Sequence, residues 1–253
     1  MSGFVAVDIG NTSVKVARHD GEAWGEIASF SSSLEAPEAV WGPRLARLVH
    51  PGDASGVCSV VPALTPRLVE ALGETTGADP FVVAHDGPLP FRMGYTTPET
   101  LGNDRIAAAA AAWLQFAGGR PVVAFDAGTA LTVEAVDVDA RGPVYRGGAI
   151  LPGPHTLRRS LARGTAQLPE VEWERPEHVI GRSTAEAIQS GLATLILDGL
   201  AGLLARTAAE LSAPPVVVAT GGWGGWLARR LDAVDHVAPH LVLDGVRLLA
   251  SGA

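Results

Sequence analysis

Three short stretches of the chain place residues that could do chemistry. The first is DIGNTSVK, residues 8–15. Gly10 lets the backbone come close to a ligand, while Asn11, Thr12 and Ser13 offer hydrogen-bond donors. Lys15 can set a cation beside a phosphate, and Asp8, at the end of an apolar run, can hold a hydrated Mg²⁺. An ordinary hairpin turn draws on the same Asn and Gly, so this stretch alone leaves both readings open. The second is DAGTALT, residues 126–132, which repeats Asp-x-Gly. A carboxylate at the end of each of two strands could clamp a polyphosphate and its metal from both sides of a cleft, with the hydroxyls of Thr129 and Thr132 completing the second half. The third is LGNDR, residues 101–105. Asn103 or Asp104 can cap the alanine-rich run that follows. Capping does not account for Arg105, a costly charge entering an apolar helix. An acid beside a guanidinium at a helix start suits a site where one group takes a proton from a hydroxyl and the other fixes an anion.

The elements that must position these residues follow from apolar patterning. Short Val-rich runs at 4–7, 13–17, 57–61, 81–84, 122–125, 131–137 and 216–219 predict strands. Between them, helical patterns occur at 34–50, 65–73, 104–117, 183–210 and 241–250. This alternation indicates an α/β protein with largely parallel central strands. The first two strands are too close in sequence for a crossover and should form an antiparallel hairpin around IGNTS, as should 122–125 with 131–137. Shifting the first hairpin by 118 positions sets Asp8 on Asp126, Gly10 on Gly128, Asn11 on Thr129 and Lys15 on Val133. A duplication at that period predicts two similar domains, 1–117 and 118–253, parted near FAGGRP. Glycine-rich stretches also follow strand-like runs at 147–153, 180–184 and 216–226. In the last, Gly221 and Gly222 would leave room for an adenine or ribose, or would simply form a tight strand-to-helix turn. Thr184 suits a helix cap. No Walker A loop is present, and the first strand is not followed by a nicotinamide fingerprint.

The 253 residues carry a formal net charge of −8, which argues against a nucleic-acid partner. Small anions remain possible, because backbone N–H groups and a metal can bind them without a basic surface. The single cysteine, Cys58, cannot form an intrachain disulfide or a cysteine-ligated cluster, and sits between apolar neighbours as a buried structural residue. The opening MSGFVAVDIG has no basic segment before its apolar run, so no secretory signal is expected. The stretch 191–205 is apolar but contains Asp198 and several glycines, and reads as a buried or interface helix rather than a membrane span. Together these features point to the cytoplasm.

In order and coverage, DIGNTSVK, LGNDR, DAGTALT, GGAILPG (147–153), LARGTAQLP (161–169), IGRST (180–184) and ATGG (219–222) resemble the type III pantothenate kinases of the acetate and sugar kinase, Hsp70 and actin superfamily. The C-terminal HLVLDGVRLL is similar to that family's ending. The resemblance implies two domains of the actin-like ATPase (ribonuclease H-like) fold with a nucleotide cleft between them. It implies phosphorylation of pantothenate by ATP, the first step toward coenzyme A. Carried onto matching positions, it makes Asp8, Ile9, Gly10, Asn11, Thr12, Ser13, Val14 and Lys15 the binding segment for the ATP phosphates and Mg²⁺. It makes Asp104 the proton acceptor, with Tyr95, Gly102, Asn103, Arg105 and Thr184 contacting pantothenate. Asp126 resembles a ligand of a monovalent cation, K⁺ or NH₄⁺, while Thr129, Gly221 and Gly222 correspond to ATP contacts. The family is homodimeric, and the helix at 184–208 is the interface candidate. Asn103 stands where Ala is more usual, and YTTPETLG is looser than the family form. The helix start is expected to lower the Asp104 pKa, giving a weak base that this loose phosphoryl transfer tolerates. A related kinase with another small substrate, or an ATP-dependent structural or regulatory protein, would share the hairpins but not the full set of motifs.

Overall fold

The computed structural model describes residues 3–32 and 37–252. In chain order the elements are β1 (Phe4–Ile9), β2 (Ser13–His19), β3 (Trp24–Ser31), α1 (Pro37–Leu48), β4 (Ala54–Ser59), α2 (Thr65–Thr76), β5 (Phe81–Val82), β6 (Arg92–Met93) and α3 (Asn103–Phe116). There follow β7 (Val122–Ala127), β8 (Ala130–Asp139), β9 (Gly142–Pro152), α4 (Pro154–Gly164), α5 (Thr184–Ala209), β10 (Val216–Thr220), α6 (Gly224–Ala228), β11 (His236–Val237) and α7 (Leu241–Ser251). The expected helix start at 34–36 lies outside the described residues. The chain forms two compact units: residues up to 115 with 142–145 and those from 240 onward, and residues 116–141 with 146–239.

In the first unit the sheet runs β3-β2-β1-β4-β5. β1 and β2 form the antiparallel hairpin, whereas β1 and β4 run parallel. Alternation sends Val5, Val7 and Ile9 of β1 into a core with Leu45 and Leu48 of α1 and Leu68 and Leu72 of α2. Phe4, Ala6 and Asp8 therefore face the other way, toward the side that α7 covers. There Val246 of α7 lies against Gly56 of β4, and Gly245 lies so close to Ala107 of α3 that a β-carbon would overlap its carbonyl. This contact explains the alanine run, because Ala107–Ala112 are all buried and small side chains let two helices approach closely. Before β4, Asp53 is 3% exposed. It accepts from Arg18 Nε and Nη2, both at 2.8 Å, and from the Gly3 amide at 2.7 Å, tying β2 to the start of β1. Arg18 holds the Asp53 carboxyl below the usual carboxylate range.

The other sheet has β6 at its β9 edge, parallel to β9; its remaining strands run β9-β8-β7-β10-β11, with β7 antiparallel to β8 and parallel to β10. Strand for strand this repeats β3-β2-β1-β4-β5, as the duplicated hairpin predicts. Val123, Phe125, Val133, Val217 and Ala219 pack against Ile196, Leu200 and Leu204 of α5. α5 is long and apolar enough, by length and composition alone, to cross a membrane, and 44% of its most apolar window is buried.

Strands β3, β6, β9 and β11 and helices α4 and α6 have no counterpart among the sequence-predicted elements. Most are short or edge elements whose partners lie elsewhere in the chain. β9 also carries Gly147, with a φ of +102°, which masks its strand pattern.

Candidate active site

The first unit brings two of the three chemical stretches together. The turn of the β1–β2 hairpin closes with the Gly10 amide donating to the Ser13 carbonyl at 3.0 Å. This leaves Asn11 and Thr12 exposed at the tip. Asp8 is paired directly with Lys15 across the hairpin, and their side chains approach to 4.0 Å. On its other side Asp8 is in register with Cys58 of β4. One residue on, the Ser59 carbonyl accepts from Asn103 Nδ2 at 3.3 Å, which fixes the start of α3 against the end of β4. The Val60 amide donates to the Ile9 carbonyl at 3.0 Å, completing the connection. Burial pushes the Cys58 thiol well up, and the charges of Asp8 and Asp104 push it further. The buried thiol thus lies beside both carboxylates and stays neutral. Ser59 is the residue that sequence reasoning missed; its only signal is a lone hydroxyl within the apolar run 57–61, and the structure places it at the end of β4.

Gly102 occupies the start of α3, its carbonyl accepting from the amides of Arg105 at 3.1 Å and Ile106 at 3.3 Å. Asp104 Oδ1 accepts from the Arg105 amide at 2.8 Å. The expected lowering of the Asp104 pKa is not what the structure gives. Burial is the largest influence and raises it, outweighing the Arg105 amide and guanidinium, which lower it. Arg105 is 7% exposed, so the charge that capping does not account for is buried at the start of α3. Tyr95 lies after β6, its ring 6.0 Å from that of Tyr145.

In the second unit Asp126 is the penultimate residue of β7, paired with Thr132 of β8 and Thr220 of β10. The hairpin loop here is one residue shorter than the first. Thr132, rather than the Val133 given by the ungapped shift, is the counterpart of Lys15. Gly221 has a φ of +84°, and a β-carbon there would meet the Asp126 carboxylate and the Ala127 carbonyl. The Ala127 amide nitrogen is equally close, so only glycine allows the backbone to approach Asp126 and Ala127 this tightly. The Thr129 carbonyl accepts from the Gly153 amide at 3.1 Å and Thr156 Oγ1 at 2.6 Å, leaving its side chain on the exposed tip. Gly222 is exposed one residue beyond Gly221. Thr184 is exposed in the first turn of α5, but the cap is Ser183, whose Oγ accepts from the Glu186 amide at 3.2 Å. Among the described residues no cluster of three or more His, Cys, Asp or Glu is gathered in the manner of an all-protein metal cage.

The profile of the type III pantothenate kinases matches residues 4–208. The chain belongs to the type III pantothenate kinase family. Among relatives of that family, the protein named type III pantothenate kinase in Oleidesulfovibrio alaskensis is 36% identical, over 97% of this chain and 95% of its own length. The type III pantothenate kinase of Chlorobaculum parvum is also 36% identical, over 97% of this chain and 93% of its own. The fold is shared more widely. A Campylobacter jejuni structure described as a Baf family transcriptional activator superposes with a TM-score of 0.61 at 18% identity, covering 98% of this chain and 97% of that one. A glucokinase from an Antarctic psychrotroph gives 0.52 at 11% identity, with all of both chains covered. The resemblance to this type III pantothenate kinase family that the motifs carried is therefore borne out, and so is the two-sheet α/β architecture expected with it.

Proposed function

We propose that this protein transfers the γ-phosphoryl group of ATP to the primary hydroxyl of pantothenate, giving 4'-phosphopantothenate, the first step of coenzyme A biosynthesis. The observation that carries the reading is the juxtaposition at the ends of β1 and β4. There the phosphate-type hairpin of Asp8–Lys15 and the acid of α3 share Cys58 and Ser59 as neighbours.

In this reading the segment from Asp8 through Ile9, Gly10, Asn11, Thr12, Ser13 and Val14 to Lys15 cradles the triphosphate with amides, hydroxyls and the Lys15 ammonium. Thr129, Gly221 and Gly222 contact the rest of ATP. Tyr95, Gly102, Asn103, Arg105 and Thr184 hold pantothenate, with Arg105 and its buried charge orienting the acceptor. Asp104 accepts the hydroxyl proton as the new O–P bond forms and the bond to ADP breaks. Its raised pKa makes it a better base than an ordinary carboxylate, although a loose transition state asks little of it. Positioning by the β1–β2 hairpin and α3 supplies most of the acceleration.

A kinase of this kind takes ATP with a divalent metal, and the residues present fit Mg²⁺. Asp8 is a single carboxylate beside hydroxyl-rich backbone, the sparse protein donor set that Mg²⁺ uses when phosphates supply the remaining ligands. When bound, that ion neutralises the charge developing on the phosphates. The Asp126 carboxylate is the group that would hold a monovalent cation, K⁺ or NH₄⁺. The protein acts in the cytoplasm as a homodimer, apart from nucleic acid and membranes; its net charge of −8 accords with that.

Incubation with ATP, Mg²⁺ and pantothenate should yield phosphopantothenate by mass spectrometry in potassium, and much less when sodium replaces potassium. Failure to form the product in either salt contradicts the activity. Equal rates in both contradict the cation role of Asp126.

A further inference from the structure

The chain contains two tyrosines, Tyr95 and Tyr145, and the fold sets one against the other. β6 and β9 run parallel, with Met93 in register with Tyr145. Phe91 and Tyr95 stand two residues before and two after Met93, the spacing that brings side chains to one face of an extended chain. The Tyr145 ring meets both: it is stacked on Phe91 at 5.8 Å and 27°, and lies 6.0 Å from Tyr95 at 59°. Both separations are those of interacting rings. All of these residues belong to the first unit.

The backbone adds a second tie. The Gly94 amide donates to the Tyr145 carbonyl at 2.9 Å. A β-carbon at Gly94 would lie 2.7 Å from that carbonyl oxygen, so the chain just before Tyr95 is pressed against Tyr145. The two rings differ in access. Tyr145 is fully buried, whereas Tyr95 is partly exposed. Tyr145 therefore presents no surface to a ligand, but it fixes where the Tyr95 backbone runs and limits which way its ring turns. A side chain that meets a ligand is precise when its own rotamer is locked by the packing behind it.

We propose that Tyr145 is a positioning residue for the acceptor substrate: it holds the Tyr95 ring in the orientation that pantothenate binding requires. This rests on the reading that Tyr95 contacts pantothenate. The contact is between rings, so an aromatic residue without the hydroxyl serves equally.

Initial rates of coupled ADP release, with pantothenate and ATP varied in turn, test this. Tyr145→Leu removes the ring contact and should raise the pantothenate KM about fivefold, the worth of one aromatic pair, with the ATP KM and kcat within about twofold of wild type. Tyr145→Phe should restore the pantothenate KM. A purely structural role would instead lower the active fraction, hence kcat, with both KM values unmoved. Tyr95→Leu should raise the pantothenate KM by at least as much, and Tyr145→Leu should add nothing in that background. No pantothenate-dependent release by the unaltered chain, or an unchanged pantothenate KM in Tyr95→Leu, defeats the reading and the proposal with it. A raised KM in Tyr95→Leu beside a wild-type KM in Tyr145→Leu, a Tyr145→Phe that behaves like Tyr145→Leu, or additive effects in the double variant overturn the proposal alone. Should Tyr145→Leu fail to fold, fluorotyrosine labelling of the otherwise unaltered chain decides, since it gives two ¹⁹F resonances, assigned with Tyr95→Phe. Both should shift together as pantothenate is added; a Tyr145 resonance that stays in place overturns the proposal.

Discussion

A carboxylate at a helix N-terminus ordinarily favours its anion, because unpaired amides and the helix dipole stabilise negative charge. At Asp104 burial wins over both, and its pKa rises. Because folding raises this pKa, the carboxyl supports the fold fully below its ordinary pKa and penalises it as pH rises through the folded value. Asp104→Asn should therefore raise the melting temperature at pH 7.5, with the gain vanishing below about pH 4, the ordinary carboxylate range. A lower melting temperature for the variant at pH 7.5 would contradict that sign. The chemistry proposed for Asp8, Lys15 and Asp104 rests on residue type and spacing. Their proximity was not legible there, since it depends on β4 lying in register beside β1 and on the Ser59 carbonyl catching Asn103. The counterpart of Lys15 was misread for a similar reason. A loop shortened by one residue moves the pairing from Val133 to Thr132, and only the hydrogen-bond register shows it.

Elements with continuous Val runs or long helical periods were readable, because β1, β4, β7 and β10 are central strands flanked by other strands. The edges were not. β3 contains Gly25 and Glu26 within WGEIASFS, and its pairing with β2 makes it a strand. β9 looks broken by Gly147 and Gly148, yet Gly148 is needed there, since a β-carbon would overlap the Val133 carbonyl. Packing of α7 on α3 gives the sharpest test at this scale. Gly245→Ala pushes a methyl group into the Ala107 carbonyl and should cost about 1–3 kcal/mol. With Asp104 as the proposed base in its first turn, displacing α3 should also lower kcat roughly threefold or more, since phosphoryl transfer is sensitive to small misplacements. Wild-type melting and kcat in that variant would show that the contact is not tight.

Across the whole molecule, two similar sheets carry unequal chemistry. The first unit holds the Lys15 cation and the Asp104 acid, whereas the second holds the Asp126 carboxylate with the Gly221 backbone packed against it. The duplication was legible in the echo of Asp-x-Gly, but the return of α7 to the first unit was not, because its partners β1 and β4 are distant in sequence. Leu195, 57% exposed on α5, and Ile180, 83% exposed before it, form apolar surface of the kind expected at a subunit contact. Light scattering should report a dimer that Leu195→Glu shifts toward monomer; a monomeric unaltered chain would contradict the expected assembly. The central claim, that this fold runs pantothenate phosphorylation with Asp104 as the base, is tested most directly by coupled ADP release with and without pantothenate, in the unaltered chain and in Asp104→Asn. The account predicts pantothenate-dependent release that the substitution abolishes while ATP still binds. Release independent of pantothenate, or near-normal turnover by Asp104→Asn, would contradict it.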